Sequence, residues 1–95
     1  MLFRSQGYHP PHIDFPELED YITAIYYVND SDGDTIIFNE TDKNSSKLTI
    51  KEKITPKRGR LVLFNGSLLH SGNSPSNDQP RIVLNINYKP YLKND

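Results

Sequence analysis

The chain contains no cysteine. That excludes a disulfide framework and any metal site built on thiolates. Tryptophan is also missing, and methionine occurs once. No apolar run approaches the roughly 18 residues a membrane-spanning helix needs, so no membrane partner is expected. An excess of either charge is lacking too: the formal net charge is -1, with both signs scattered along the chain. Without a basic stripe to neutralise phosphates, no nucleic acid partner is expected. The start Met1-Leu2-Phe3-Arg4-Ser5 lacks the charged-then-apolar order of a signal peptide. The expected setting is cytoplasmic, in a microbial or phage-encoded protein, which suits the frequent Asn, Ile and Lys. What remains is a single domain spanning residues 1–95. At this length a fold buries roughly 60–65% of the surface its unfolded chain exposes, so the core is modest.

Sustained helical periodicity is also absent. Tyr21 to Val28 is rich in β-branched and aromatic residues and reads as a strand. The cluster Asn29-Asp30-Ser31-Asp32-Gly33-Asp34 reads as a turn. Thr35 to Asn39 is a second strand, and Leu48 to Ile54 alternates as a half-exposed strand should. Arg60 to Phe64 is a continuous apolar strand, and Arg81 to Tyr88 is a last, alternating one. Pro16-Glu17-Leu18-Glu19-Asp20 has room for one helical turn, with proline at a tolerated position. Short strands at regular spacing predict an all-β sandwich or barrel with no second domain.

The chemistry-bearing residues are few. His12-Ile13-Asp14 places two metal-ligand types two positions apart, so on a strand both point to one face. With a lone downstream His70 they make up two imidazoles and one carboxylate, the ligand set that holds non-haem Fe(II) with coordination positions left open. A lone His-x-Asp is weak evidence, and His70 also reads as an ordinary polar residue at a strand end. Arg81 has two readings: a solvated charge beside Pro80, or a bidentate anchor for a carboxylate. Alternation puts Val83, Asn85 and Asn87 on the face of Arg81, and Ile82, Leu84, Ile86 and Tyr88 on the other. Thr23, Ile25 and Tyr27 share a face in the same way.

Taken together, several segments resemble the 2-oxoglutarate and Fe(II)-dependent oxygenase superfamily, in the branch similar to prolyl hydroxylases and to phage and marine microbial oxygenases. They are His9-Pro10-Pro11-His12-Ile13-Asp14, Ala24-Ile25-Tyr26-Tyr27-Val28-Asn29 and Gly33-Asp34-Thr35-Ile36-Ile37-Phe38. In the same order follow Ile54 through Phe64, Leu69-His70-Ser71-Gly72-Asn73, and Arg81. The resemblance implies a double-stranded β-helix, or jelly-roll, core. It implies His12, Asp14 and His70 as Fe(II) ligands and Arg81 as the partner of the distal carboxylate of 2-oxoglutarate. Tyr27 resembles a tyrosine that adds a hydrogen bond to that carboxylate, and reads equally well as a core aromatic. Val83 stands where some branches carry a carboxylate-binding serine, and Tyr27 or Asn85 is the substitute. The implied reaction is hydroxylation of a small-molecule or peptide substrate, prolyl-type by nearest analogy, with release of succinate and CO2. Ascorbate is a further cofactor the resemblance admits.

The chain starts at the strand before the metal motif, where such proteins usually carry helices and extra strands. The expectation is a core lacking the usual N-terminal helical region, whose exposed sheet is covered by a second subunit in a homo-oligomer. Two other readings compete with an active hydroxylase. One is a truncated or degenerate non-catalytic module of the same fold that binds metal or a protein partner. The other is a cupin-like metal enzyme, against which Arg81 argues.

Overall fold

A computed structural model describes residues 9–76 and 80–90. Six strands occur among them: β1 (Ile22–Tyr27), β2 (Thr35–Phe38), β3 (Ile50–Ile54), β4 (Leu61–Asn65), β5 (His70–Gly72) and β6 (Val83–Tyr88). None of the described residues is helical, so none forms a helix long and apolar enough to cross a membrane. The strands form two antiparallel three-stranded sheets, ordered β4-β1-β6 and β3-β2-β5. This is the all-β arrangement of a jelly-roll core.

Register explains which side chains meet. In the first sheet Thr23 stands opposite Phe64 and Asn87, Ile25 opposite Val62 and Asn85, and Tyr27 opposite Val83. In the second, Thr35 faces Gly72 and Ile54, and Ile37 faces His70. The core lies between the sheets. Ile25, Tyr27 and Phe64 from one side meet Ile37 and Ile54 from the other, with Val62, Leu68 and Val83 packed against them. The alternation read along β1 and β6 therefore holds in side-chain direction, with Tyr27 buried and Asn85, on the same face, exposed beside Asp14.

Three expectations change. Pro16 to Asp20 forms a single turn closed by Leu18 N–H donating to the Phe15 carbonyl, with no helix. β3 is not half-buried: only Ile54 of its five residues is buried. It is an edge strand, and the register with β2 shifts at Ile37/Phe38, leaving Ile50 exposed. β4 is apolar from Leu61 to Phe64, yet Leu61 and Leu63 point away from the core and are 57% and 55% exposed. β5, three residues long with glycine at its end, has too little pattern to be read from sequence.

The turn Asn29–Asp34 spends its acidic groups on loop closure. Asp30 accepts the Arg58 backbone N–H at 2.7 Å. Asp32 accepts the backbone N–H of Ser76 at 2.9 Å and also its hydroxyl, and Asp34 pairs with Lys53 at 3.7 Å. Asn29 donates to the Pro80 carbonyl and accepts from Ile82 N–H, which fixes the approach to β6 beside Arg81.

Candidate functional site

His12 lies directly opposite His70 in an antiparallel bridge. Each donates its backbone N–H to the other's carbonyl, at 3.0 and 3.1 Å. Residues paired in this way project their side chains to the same face, and the two imidazole centroids stand 4.4 Å apart. Asp14, two positions after His12, comes to that face as its spacing predicts. One ligand atom from each of the three residues falls within 4.8 Å of the others. No other such group occurs among the described residues. Tyr21 holds the segment in place, since its buried hydroxyl accepts the Phe15 N–H at 3.1 Å. Behind His70 the Phe64 ring packs edge-on, 5.1 Å between centroids.

The protonation pattern follows from the neighbours. Nδ1 of His12 lies 3.4 Å from the Pro10 carbonyl, and Nδ1 of His70 lies 3.3 Å from the Leu68 carbonyl. Carbonyls only accept, so a proton on each Nδ1 suits these long contacts and leaves both Nε2 atoms to present lone pairs. Those Nε2 atoms lie 3.2 Å (His12) and 3.4 Å (His70) from the same oxygen, Asp14 Oδ1. Neighbouring donors around one ion, each about 2.1 Å from it, stand roughly 3 Å apart. His70 Nε2 is buried and makes no hydrogen bond, although it sits within ion-pair distance of Asp14. A buried lone pair aimed at a carboxylate is costly unless a proton or a cation lies between them. The residues present therefore fit a divalent metal with nitrogen and oxygen preference, such as Fe(II).

Charge tuning agrees. Burial and the neighbouring His12 push the His70 pKa below the ordinary histidine value, against the Leu68 carbonyl and Asp14. A neutral ring is the form that ligates. Burial raises the Asp14 pKa, but the Asn87 hydrogen bond, His70, the Asn85 hydrogen bond and His12 together bring it below the usual carboxylate value. Asp14 Oδ2, the oxygen turned away from the histidines, accepts from Asn85 Nδ2 at 3.1 Å and from Asn87 Nδ2 at 3.0 Å. Asn85 thus sits on the carboxylate of Asp14. Asn87 in turn accepts from the Thr23 hydroxyl at 2.7 Å.

Arg81 lies just before β6, and its guanidinium crosses the space above Gly72, where any Cβ would collide with it. Its Nη1 donates to Thr35 Oγ1 at 3.2 Å, and the Tyr27 hydroxyl donates to the same oxygen at 2.6 Å. Two incoming donors use up the hydroxyl's acceptor capacity and leave the Thr35 proton to donate. Tyr27 is fully buried. Burial raises its pKa despite Thr35 and Arg81, so it stays a neutral donor. Arg81, Thr35 and Tyr27 form a positive, donor-rich corner on the inner side of the two sheets. Thr35 went unnoticed in the sequence. Its signal was a threonine opening the apolar strand Thr35–Phe38, directly after Asp34.

A cavity of about 290 Å³ touches His12 and is otherwise lined by Pro11, Ile13, Pro16 and Leu69 with the loop at residues 41–44. A larger one, about 500 Å³, opens between β3 and β4 and touches none of the site residues. The smaller touches only His12 of the three candidate ligands, and its Pro11, Ile13 and Leu69 alternate with His12, Asp14 and His70 along the chain, toward the other face.

Comparison with known families gives one match. The profile described as the 2OG-Fe(II) oxygenase superfamily covers residues 1–89. No curated protein and no solved structure matches the chain. The chain belongs to the 2OG-Fe(II) oxygenase superfamily.

Proposed function

From that membership we propose that the chain is an Fe(II)- and 2-oxoglutarate-dependent dioxygenase that hydroxylates a C–H bond of a small-molecule or peptide substrate. The observation that carries this reading is the convergence of His12, Asp14 and His70 on one face within 4.8 Å, with the His70 Nε2 buried and unbonded. These three residues would hold the iron, and the chemistry it would supply there is the coupling of 2-oxoglutarate decarboxylation, to succinate and CO2, with insertion of one oxygen atom of O2 into the substrate.

The protein's own residues position the reactants. Arg81 and the Thr35 hydroxyl, itself held by Tyr27, receive the distal carboxylate of 2-oxoglutarate. A guanidinium suits a carboxylate because its donors form a fixed fork. The core behind His70, formed by Phe64 and Ile37, keeps bulk water from the inner side of the site. A prolyl-type substrate is the nearest analogy that the family resemblance offers.

Anaerobic titration with Fe(II) and 2-oxoglutarate tests this reading. A weak metal-to-ligand charge-transfer band is expected, and folded protein without it would sink the proposal. Under O2, with and without ascorbate, uncoupled succinate formation is expected, and Asp14→Ala should abolish it. Arg81→Lys should spare the metal and weaken 2-oxoglutarate binding by about 1.5–3 kcal/mol, roughly ten- to hundredfold. Unchanged affinity would remove Arg81 from its role.

A further inference from the structure

Asp14 presents two oxygens that are treated differently. Oδ1 faces both histidine Nε2 atoms, at 3.2 and 3.4 Å. Oδ2 faces away and takes two amide N–H donors, from Asn85 and Asn87. We propose that Asn87, itself held by Thr23, is a positioning residue that keeps Asp14 a one-oxygen metal ligand, an inference that rests on the metal-site reading above.

The hydrogen-bond chain runs in one direction only. A carboxylate accepts and never donates, so the Asn87 amide nitrogen must face Asp14. Its carbonyl oxygen is then turned toward β1, where Thr23 stands directly opposite Asn87 in the strand register. Thr23 is fully buried among Ile25, Tyr27 and the rest of its face, and its hydroxyl donates to Asn87 Oδ1 at 2.7 Å. Flipping the Asn87 amide would set an oxygen against the carboxylate and lose a good bond. Asn85 makes a similar bond to Asp14, but it is exposed, and water competes for its place. Asn87 is partly buried and anchored at both ends, so it holds the carboxylate more firmly.

The two amides saturate Oδ2. For Asp14 to chelate an ion through both oxygens, its carboxylate would have to rotate and give up both bonds. Asp14 lies outside any regular strand, so its backbone alone does not impose the one-oxygen orientation. Limiting Asp14 to one donor leaves an additional coordination position for incoming ligands. Groups that orient a metal ligand in this way typically change metal affinity by about 10- to 100-fold when removed.

Cobalt(II) is a suitable probe, because its visible absorption reports coordination number and ligand arrangement independently of turnover. Anaerobic titration of the wild-type chain is expected to give a bound spectrum that is lost in Asp14→Ala. Asn87→Ala should weaken cobalt binding by about 10- to 100-fold and alter the bands. Thr23→Val should produce a smaller loss, Thr23→Ser should restore wild-type values, and Thr23→Val should add nothing in the Asn87→Ala background, because Thr23 acts only through Asn87. Wild-type affinity and spectrum in folded Asn87→Ala would overturn the proposal while leaving the metal site standing. A second readout needs no metal: the Asn87 side-chain amide signals in nuclear magnetic resonance spectra should shift in Asp14→Ala and in Thr23→Val. Signals unmoved by either change would overturn the clamp. Absence of cobalt binding to the wild type would instead refute the metal-site reading, and the inference with it.

Discussion

At the scale of single residues, Gly72 shows how a missing side chain shapes a site. It faces Thr35 across the β2–β5 pair, and the Arg81 guanidinium fills the space where its Cβ would stand, with Cζ only 2.9 Å from that position. Gly72→Ala should therefore push Arg81 off Thr35. The expected outcome is weaker 2-oxoglutarate binding with unchanged metal affinity, read by calorimetric titration of the two ligands separately. Equal affinity for 2-oxoglutarate would show that Arg81 is free to occupy a second position. The metal-binding types themselves were legible from the sequence, because with no cysteine only His, Asp and Glu remain as candidates. Thr35 and the bond between Asn87 and Asp14 were not. Threonine is an ordinary strand residue, and the two asparagines, unusual in a strand, read either as a polar pocket or as exposed, so only their partners make them informative.

At the scale of elements, the site depends on a strand too short to stand alone. β5 has three residues, and pairing on both sides holds it: β2 on one, and the His12 bridge on the other. Ile37, buried and opposite His70, connects this strand to the core. Ile37→Ala should destabilise the fold by about 2–5 kcal/mol, the usual loss for a buried large-to-small change. Chemical denaturation measures it, and a loss below 1 kcal/mol would mean that β5 is supported elsewhere. β1, β2 and β6 were visible in the sequence through β-branched content and alternation. β5 was not, because its three residues include a glycine and no alternation can be read over so short a span.

At the scale of the whole molecule, the outer side of the β4-β1-β6 sheet is the unusual surface. Leu61, Leu63, Tyr26, Leu84, Ile86 and Tyr88 all point there, each at least 38% exposed. Cross-strand register sets them side by side: Leu61 and Leu84 flank Tyr26, and Leu63 and Ile86 flank Ala24. A contiguous apolar face of this kind favours association over exposure to water. It carries no charge, so a second copy meets no like-charge repulsion. Light scattering is expected to show a dimer or larger, and Leu84→Lys combined with Ile86→Lys should shift it toward monomer without changing metal affinity. A wild-type monomer at all concentrations would refute the expectation.

Composition and order alone determined the β class, the ligand types, and the face on which each β6 side chain lies, because alternation is a local property of an extended chain. They also determined that Arg81 and the two asparagines share a face. Only the tertiary structure decided that His12 stands opposite His70, that the asparagines meet Asp14, and that Tyr27 and Arg81 meet on Thr35. Those contacts depend on the register between strands distant in sequence, and a slip of one residue would turn each of these side chains to the opposite face.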